Sequence, residues 1–574
     1  MSPAAHVVLD RRTRVLRRGD VVRVLGGDPV TLITPSPAVS SLLDGGESVA
    51  TDTPAGAALA RALTDRGMAH PAGTATGTGP LGCVAVVVPV RDDAAGVAAL
   101  AQALGPELAR GLRLVVVDDG STPPLTRAAT MSATTVLRHD RSRGPAAARN
   151  SGTAAAVAAG AEVVVYLDAD VVPQSGWLDV LLARLDDPRV AAVAPRIVAA
   201  DPGRFWVRGY ETARSALDMG PDPARVRPRT RVAYVPSAAL AVRPDRLPSP
   251  PGGGGPGPFD ERMLVAEDVD LCWRTDAAGG HIRYEPAARV AHRHRTTLAT
   301  VLARRSFYGR GAGPLASRHG AAVAPAVAAP WSAAVAVGVW SATPVGSLIA
   351  AGALGRAWWR TRVLTGDGRA AAELVVRGAG ASIRQLPEAL LRPYWPVTAA
   401  ILAITAVSRS RGARGLRRRV LAGALAEGLW HWWAARDPGR LPVDEPLGHI
   451  VVHRLDDLAY GVGVWRSASA RRRAITQPAG GSRGMGSGLA TAVRGGAGPR
   501  RGTPPARSGA HGAGRRAGGG SVPGPCRGDR SGAPRCPARD GVRRVGSRRR
   551  RGPGTDRVDS SGAPLGGRAR RRTV

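Results

Sequence analysis

Three nearly continuous apolar runs, Val84–Val88, Leu112–Val117 and Val163–Leu167, restrict this chain more than any other feature. Each is rich in Val, each ends in a turn, and Ala-rich helical stretches separate them. Strands buried on both faces of a parallel sheet have this appearance. Their alternation with helices predicts an open α/β sheet. Ligands of such sheets bind at the carboxyl ends of the strands. Polar residues stand at those ends: Pro89–Asp93 after the first run, Asp118–Ser121 after the second and Asp168–Asp170 after the third.

The acidic residues there define a chemistry. Asp168-Ala169-Asp170 puts two carboxylates on one face of an extended segment, an arrangement that is costly unless a cation lies between them. Oxygen ligands with open positions suit Mg²⁺ or Mn²⁺ shared with a diphosphate. Asp-x-Asp alone is common in turns, so the context has to decide. Asp118-Asp119-Gly120-Ser121 offers a carboxylate able to accept the N3–H of a uracil ring. The stretch from Arg141 to Gly152 opens an Ala-rich helix, with Arg149 in reach of a phosphate or of the acidic cluster. Asn150 is the single Asn of the chain, although routine capping of a helix start accounts for it equally well. Glu267-Asp268-Val269-Asp270 has the composition of a solvated helix start, where acids favour the dipole. Its position after Phe259-Asp260-Glu261 and before a Trp-bearing helix favours catalysis instead.

Taken in order, Asp118-Asp119-Gly-Ser, Ala-Arg149-Asn150-Ser-Gly, Leu-Asp168-Ala-Asp170 and Glu267-Asp268-Val-Asp-Leu-Cys-Trp-Arg274 resemble the large inverting GT-A family of glycosyltransferases, of the family 2 type. The resemblance covers roughly residues 82–310. It implies an α/β, GT-A (nucleotide-diphospho-sugar transferase) fold and a nucleotide-sugar donor. It also implies that Asp119 contacts the nucleobase and that Asp168 meets the ribose or the metal. Pro89, Arg91, Asp118, Arg149 and Asn150 would stand around the donor, Arg91 at a place where an aromatic residue is often found. Asp170 would hold the metal, Mg²⁺ or Mn²⁺, with His292 completing the site and His294 close by. Asp268 would be the general base, with Glu267 beside it. The mechanism implied is a single displacement that inverts the anomeric centre. Pro251–Pro258, with five glycines, reads as a lid over the acceptor or as a plain insertion.

Two further regions flank residues 82–315. In residues 1–75, Val7–Leu9 and Val21–Leu25 read as strands and Ala55–Leu63 as an amphipathic helix ending near Gly67, before a flexible connector over Gly73–Pro80. This layout resembles the small winged-helix-like peptide-chaperone domains of the pyrroloquinoline quinone system. Together with the run Tyr284–His294 and an apolar C-terminal region, it resembles the branch of the glycosyltransferase family that builds a β-linked glucose chain on a peptide-derived redox cofactor. The donor implied is UDP-glucose, and the acceptor is a peptide-derived small molecule held by residues 1–75.

Residues 319–470 turn apolar and helical. His319–Gly355 carries no formal charge, and Trp331–Leu354 is long enough to cross a bilayer, although Pro344 interrupts it and its many Ala and Gly make it only moderately hydrophobic. Pro393–Ser408 and Leu421–Trp433 are shorter apolar stretches, with Arg beside them and Trp at their edges. That pattern suits a cell-membrane association with the catalytic domain on the cytoplasmic side. A buried helical domain is the plainer alternative, and a lipid-linked acceptor would fit the same region.

Charge excludes less than its size promises. The 80 basic side chains outnumber 44 acidic ones, giving +36, yet all are Arg. Lys and Asn need A-rich codons, so their scarcity reports a GC-rich gene. Residues 471–574 hold 25 Arg, four Asp and no Glu. Without Phe, Tyr or Trp this tail lacks the stacking surface of a single-strand binder, and no nucleic-acid partner is expected. It reads as a disordered Arg/Gly/Pro-rich extension or an out-of-frame product. Cys83 and Cys272, the two cysteines of the body, have the spacing of neither a metal cluster nor a disulfide framework. The N-terminus lacks the apolar core of a signal peptide.

Overall fold

The computed structural model describes residues 6–476, apart from 44–45, 74–78, 127–129, 131, 203–205, 295–296 and 437–445. Nearly all of the Arg-rich tail lies outside the described residues.

The N-terminal unit is built from two small antiparallel sheets. β1 (His6–Leu9) pairs with β5 (Ser48–Ala50) and β6 (Ala69–Pro71), while β2 (Arg14–Arg18), β3 (Val21–Gly26) and β4 (Thr31–Ile33) form a meander. A single turn, α1 (Pro37–Ser40), precedes α2 (Pro54–Asp65), whose start is fixed by the Thr53 side chain accepting from Gly56 N. Val7, Val24, Val49, Leu59, Leu63 and Met68 close its core. The expected strands are β1 and β3 and the expected helix is α2. The other four strands are three to five residues long, too short for an alternation to register.

The central sheet has nine strands: β7 (Val84–Val90), β8 (Arg113–Asp118), β9 (Thr135–Arg138), β10 (Val163–Leu167), β11 (Val171–Pro173), β12 (Val190–Ala199), β13 (Ala224–Val226), β14 (Ala239–Val242) and β15 (His281–His292). The order is β11-β15-β12-β14-β10-β7-β8-β9, with β13 beside β15. The three Val-rich runs are β7, β8 and β10, mutually parallel as predicted, and β9 extends them. Beyond β10 the sheet turns mixed, because β14 runs antiparallel to both β10 and β12.

Every apolar residue of the three runs finds a core. Val84, Val86, Val88 and Val90 point to one side, packed with α3 (Ala94–Ala103) and α6 (Trp177–Leu185), and the short α4 (Gly105–Ala109) follows α3. Ala85 and Val87 point to the other, packed with α5 (Pro145–Ala158) and α8 (Glu267–Ala277). Gly152, inside α5, sits so near the sheet that a Cβ would lie 2.3 Å from Val87 Cγ1. The helix accepts the conformational cost of that glycine in exchange for a close approach to β7.

α7 (Trp206–Arg214) leaves β12, and the C-terminal region follows β15 as α9 (Leu298–Gly309), α10 (Ala312–His319), α11 (Pro330–Ser341), α12 (Pro344–Thr365), α13 (Gly368–Leu391), α14 (Trp395–Val407), α15 (Arg411–Ala434) and α16 (Pro446–Thr476). The single span expected over Trp331–Leu354 is not formed. Ala342 turns left-handed at φ 48°, Thr343 caps a new helix and Pro344 occupies its first turn. Among the described residues no single helix is long and apolar enough to cross a membrane, and only α13 with α14, bent by 80°, passes that test as a pair.

The C-terminal helices are joined tightly to the catalytic sheet. α9 and α16 cross at glycines: a Cβ on Gly309 would lie 2.2 Å from Tyr460 O, and one on Gly463 2.0 Å from Ser306 O. Beside the crossing lies a buried polar joint. Arg305 of α9 donates to Glu211 of α7 at 2.7 Å and faces Asp456 of α16 at 3.1 Å. The Tyr210 hydroxyl donates to Asp456 at 2.6 Å, and Arg392 reaches Asp457 at 2.9 Å. Burial above all pushes His449 down to about 3 and His453 down to about 4. Both are therefore neutral in the folded chain at physiological pH.

Two outcomes follow from this joint. Gly463→Ala should destabilise the chain by roughly 1–3 kcal/mol in urea unfolding through overpacking. Gly355→Ala, with nothing within 4 Å of its Cβ, should be neutral or slightly stabilising. The depressed histidines bind protons more readily once unfolded. Stability should thus be full above about 6.5, the ordinary imidazole value, and decline as pH falls toward about 4. Thermal unfolding across that window measures the slope, and His453→Gln should flatten it.

Candidate active site

The carboxyl edge of β7, β8 and β10 gathers the acidic residues, but each has different work. Asp118 ends β8 and accepts from Ser121 N at 2.9 Å, from Leu125 N at 3.3 Å and from Arg138. It closes its own loop. Asp119 is engaged more completely. Its Oδ1 takes His139 Nδ1 at 2.7 Å and Arg143 N at 2.9 Å, and its Oδ2 takes Ser142 Oγ at 2.7 Å and Gly144 N at 2.9 Å. A carboxylate has about four lone-pair sites, so none remains for a nucleobase N–H. In this structure the carboxylate anchors the segment that leads into α5, and the expected base contact would need one of these bonds to give way. Burial alone would raise the Asp119 carboxyl, and the bonds from Arg143, His139, Ser142 and Gly144 outweigh it and hold the group below its ordinary value.

Pro89 is the last residue but one of β7, paired with Val117. Arg91, just past it, is exposed and ion-pairs with its neighbour Asp92 at 3.3 Å.

Arg149 and Asn150 follow one another on α5 and serve different partners. The buried Arg149 guanidinium donates to Asp168 Oδ1 at 2.8 Å and to Glu267 Oε1 at 2.9 Å, with the Phe259 ring 5.7 Å away. Asn150 was expected at the donor, but both ends of its amide are spent elsewhere. Its Nδ2 donates to Phe259 O at 2.9 Å and its Oδ1 accepts from Phe259 N at 3.1 Å. The residue sits inside α5 and caps nothing. It holds the chain that carries Pro251–Pro258 back to the sheet, and Gly257 comes so near that a Cβ would meet Asn150 Oδ1 at 2.3 Å. Arg274 grips that glycine-rich segment as well, donating to Pro248 O and Pro258 O at 2.7 Å each. The segment read as a lid is pinned at both ends.

Strand pairing brings Asp170 and His292 together. β11 begins directly after Asp170 and runs antiparallel to β15, with Val171 opposite His292. Asp170 Oδ2 then lies 3.2 Å from His292 Nε2. His292 Nδ1 is 3.1 Å from Nδ1 of His294, whose ring burial pushes down to about 4 and so keeps neutral. When His294 accepts the Nδ1 proton of His292, the remaining Nε2 lone pair faces the Asp170 carboxylate. In that tautomer two acceptors face each other, a nitrogen and oxygen donor set that fits Mn²⁺ or Mg²⁺, whereas in the other Nε2–H donates to Asp170 without an ion. Asp168 stands beside them with one oxygen committed to Arg149.

Glu267 and Asp268 open α8, following Ala266 at φ 64°. A non-glycine residue there is strained, and Gly311 locks it: a Cβ on Gly311 would lie 2.7 Å from Ala266 Cβ. Asp268 accepts from Val269 N at 2.8 Å and from Ser237 N at 3.3 Å. Burial first, then the charge of Glu267, pushes its carboxyl up to about 7.

Some neighbours were not legible in the sequence. The Arg304 guanidinium lies 5.0 Å from the Tyr308 ring and feels the charges of Asp168 and Glu267. Asp270, the last acid of the helix start, is fully buried and held by Arg274, Arg318 and His319 at 2.7, 2.8 and 2.9 Å. Its i,i+4 partner Arg274 was readable from spacing; the two on α10 were not. A second carboxylate–imidazole group, Glu427, His431 and His453, lies in the joint between α15 and α16. There Arg214 donates to His431 Nδ1 at 2.7 Å and Arg454 bears on Glu427. With Nδ1 accepting from Arg214, a neutral His431 carries its proton on Nε2, which faces Glu427 Oε1 at 2.8 Å and so offers no lone pair to an ion.

Replacing Arg149 tests how much it carries. Arg149→Leu leaves Glu267 buried without a partner and should cost about 3–5 kcal/mol in denaturant unfolding. Arg149→Lys, a point charge in place of a fork, should recover only part of it.

The chain is similar to known glycosyltransferases. The model for glycosyl transferase family 2 matches residues 86–244. The pre-mycofactocin glycosyltransferase of Mycobacterium tuberculosis (strain CDC 1551 / Oshkosh) is 41% identical over 479 residues, covering 80% of this chain and 94% of that one. Polypeptide N-acetylgalactosaminyltransferase 6 of Bos taurus is 29% identical over 213 residues, 32% of either chain. Among solved structures, a mannosyltransferase from Pyrobaculum calidifontis in complex with GDP-Man and Mn²⁺ aligns at a TM-score of 0.31 with 19% identity, covering 62% of this chain and 89% of that one.

Proposed function

The chain belongs to glycosyl transferase family 2 and is a glycosyltransferase, and we propose that it moves glucose from UDP-glucose to a hydroxyl of a peptide-derived redox cofactor, inverting the anomeric centre. The observation that carries this reading is the Arg149 bridge. One guanidinium ties Asp168, at the donor edge of the sheet, to Glu267, the neighbour of Asp268. A donor-side carboxylate and a candidate base are thus held in one frame.

In this reading Asp268 takes the proton of the acceptor hydroxyl as that oxygen attacks the anomeric carbon in line. A carboxyl pushed up to about 7 is a far better base than an ordinary one and still ionises near neutral pH. Glu267 keeps it raised through its charge, and Arg149 keeps Glu267 in place. Asp170 and His292, with Asp168 beside them, would hold Mn²⁺ or Mg²⁺. That ion supplies positive charge against the departing diphosphate. The likeness to the pre-mycofactocin glycosyltransferase supports the peptide-derived acceptor. The apolar, Arg-flanked helices of the C-terminal region support a place at the cytoplasmic membrane surface.

Release of UDP from UDP-glucose, with and without Mn²⁺, tests the proposal on the full chain. Asp170→Ala should abolish metal-dependent turnover, and Asp268→Asn should lower turnover by 100-fold or more, in the range of about 10²–10⁴ for a lost general base, while donor binding persists. Failure to bind any nucleoside diphosphate sugar would remove the reading.

The pH profile gives a separate check. The base works deprotonated, so kcat/KM should fall about tenfold per unit as pH drops below the Asp268 value of about 7. Glu267→Gln removes the like charge and should move that limb to lower pH. An unmoved limb would mean that another group titrates.

A further inference from the structure

The helix that carries the candidate base starts from a strained residue. Ala266 takes φ 64° and ψ 22° immediately before Glu267 and Asp268. Its carbonyl accepts from Asp270 N at 3.0 Å, so the first turn of α8 hangs on it. A left-handed alanine falls back into the right-handed or extended region unless its surroundings forbid it. Such a relaxation would swing the first turn of α8. Asp268 would swing with it, away from Ser237 N, which donates to its carboxylate at 3.3 Å.

Gly311 supplies the obstruction. Its own backbone, at φ −66° and ψ −21°, is right-handed helical, a conformation open to any residue. Conformation therefore gives no reason for a glycine here, and space does. A Cβ at this position would stand 2.7 Å from Ala266 Cβ, 3.3 Å from Tyr308 O and 3.6 Å from Val265 O. The helix that Gly311 introduces, α10, then holds α8 at a second level. Its Leu315 is buried in the core cluster that Ala266 and Val269 border. Arg318 and His319, at its end, reach Asp270 at 2.8 and 2.9 Å, and the rings of His319 and Trp273 meet edge to face at 5.1 Å. On its other side Gly313 N donates to Ser467 Oγ of α16 at 3.2 Å. These contacts involve none of the donor-side carboxylates Asp119, Asp168 and Asp170.

We propose that Gly311 is a positioning residue for glycosyl transfer: seated against the Ala266 methyl, it keeps that residue left-handed and so aims the Asp268 carboxylate at the acceptor hydroxyl. The proposal rests on the reading of Asp268 as the base and adds the residues that direct it. A base must lie within hydrogen-bond reach of the proton it takes, and a misplacement of about 1 Å can cost roughly 10²-fold in rate. Donor binding, which belongs to the sheet edge, does not depend on this aim. Turnover and donor affinity should therefore separate.

Kinetics of UDP release by the full chain, beside calorimetric binding of UDP-glucose with Mn²⁺, test it. Gly311→Ala drives the Ala266 methyl away and should lower kcat roughly 10–100-fold, with donor affinity within about twofold of the unaltered chain. Ala266→Gly takes φ 64° without strain and should leave kcat nearly unchanged. Combined with Gly311→Ala, it removes the clash and should bring kcat back to within about threefold. Should Gly311→Ala fold poorly, the other end of α10 gives the same reading. His319→Leu should lower kcat roughly 3–10-fold at constant donor affinity, and His319→Gln, able to keep the bond to Asp270, should recover it. An unchanged kcat in Gly311→Ala, or a loss that Ala266→Gly does not repair, overturns the proposal. So does a fall in donor affinity that matches the fall in kcat. Full turnover by Asp268→Asn would instead remove the base itself, and the proposal with it.

Discussion

A single guanidinium reconciles the charges on which this active site is built. Asp168 arrives from the parallel strands and Glu267 from a helix 99 positions later in the sequence, and Arg149 bonds to both at 2.8 and 2.9 Å. Two carboxylates brought together in a low-dielectric setting repel strongly. The bridge turns that repulsion into a bidentate contact and so fixes α8 against the sheet edge. The elevated Asp268 carboxyl depends on the same contact, because its neighbour Glu267 can remain buried only while it is paired. Arg149 itself is placed by α5, which needs Gly152 to approach β7. The chemistry thus goes back to the absence of one methyl group.

The parts of the fold that could be read in the sequence were those whose physics is local. β7, β8 and β10 announce themselves because a strand buried on both faces must be apolar at every position. β15 mixes polar and apolar residues, β14 is only four residues long, and the pairing of both with β12 depends on long-range contacts. The Asp170–His292 pair shows the limit well. The residue types were legible, but the register between β11 and β15 that joins them was not. Asp119 and Asn150 show another. A polar residue at a strand end or helix start looks like a ligand, and only coordinates reveal whether its lone pairs and protons are already spent. Trp331–Leu354 failed for a local reason that was visible: Pro344 begins a helix more readily than it continues one.

The C-terminal helices are more than an appendage to the catalytic sheet. Gly309 and Gly463 allow α9 and α16 to touch backbone to backbone, Gly311 fixes the strained Ala266 before Glu267, and Arg305 shares carboxylates from α7 and α16. A push on α16 therefore reaches the helix that carries Asp268 through contacts with little freedom to absorb it.

The same joint imposes an order on synthesis. Arg305 leaves the ribosome 151 residues ahead of Asp456, an interval of about 8–30 s at 5–20 residues per second. During that time the nascent catalytic domain carries a cation whose second carboxylate partner, on α16, does not yet exist, and a glycine furrow with nothing lying in it. Release of a competent enzyme therefore waits on the arrival of α16, whatever the speed at which the sheet assembles.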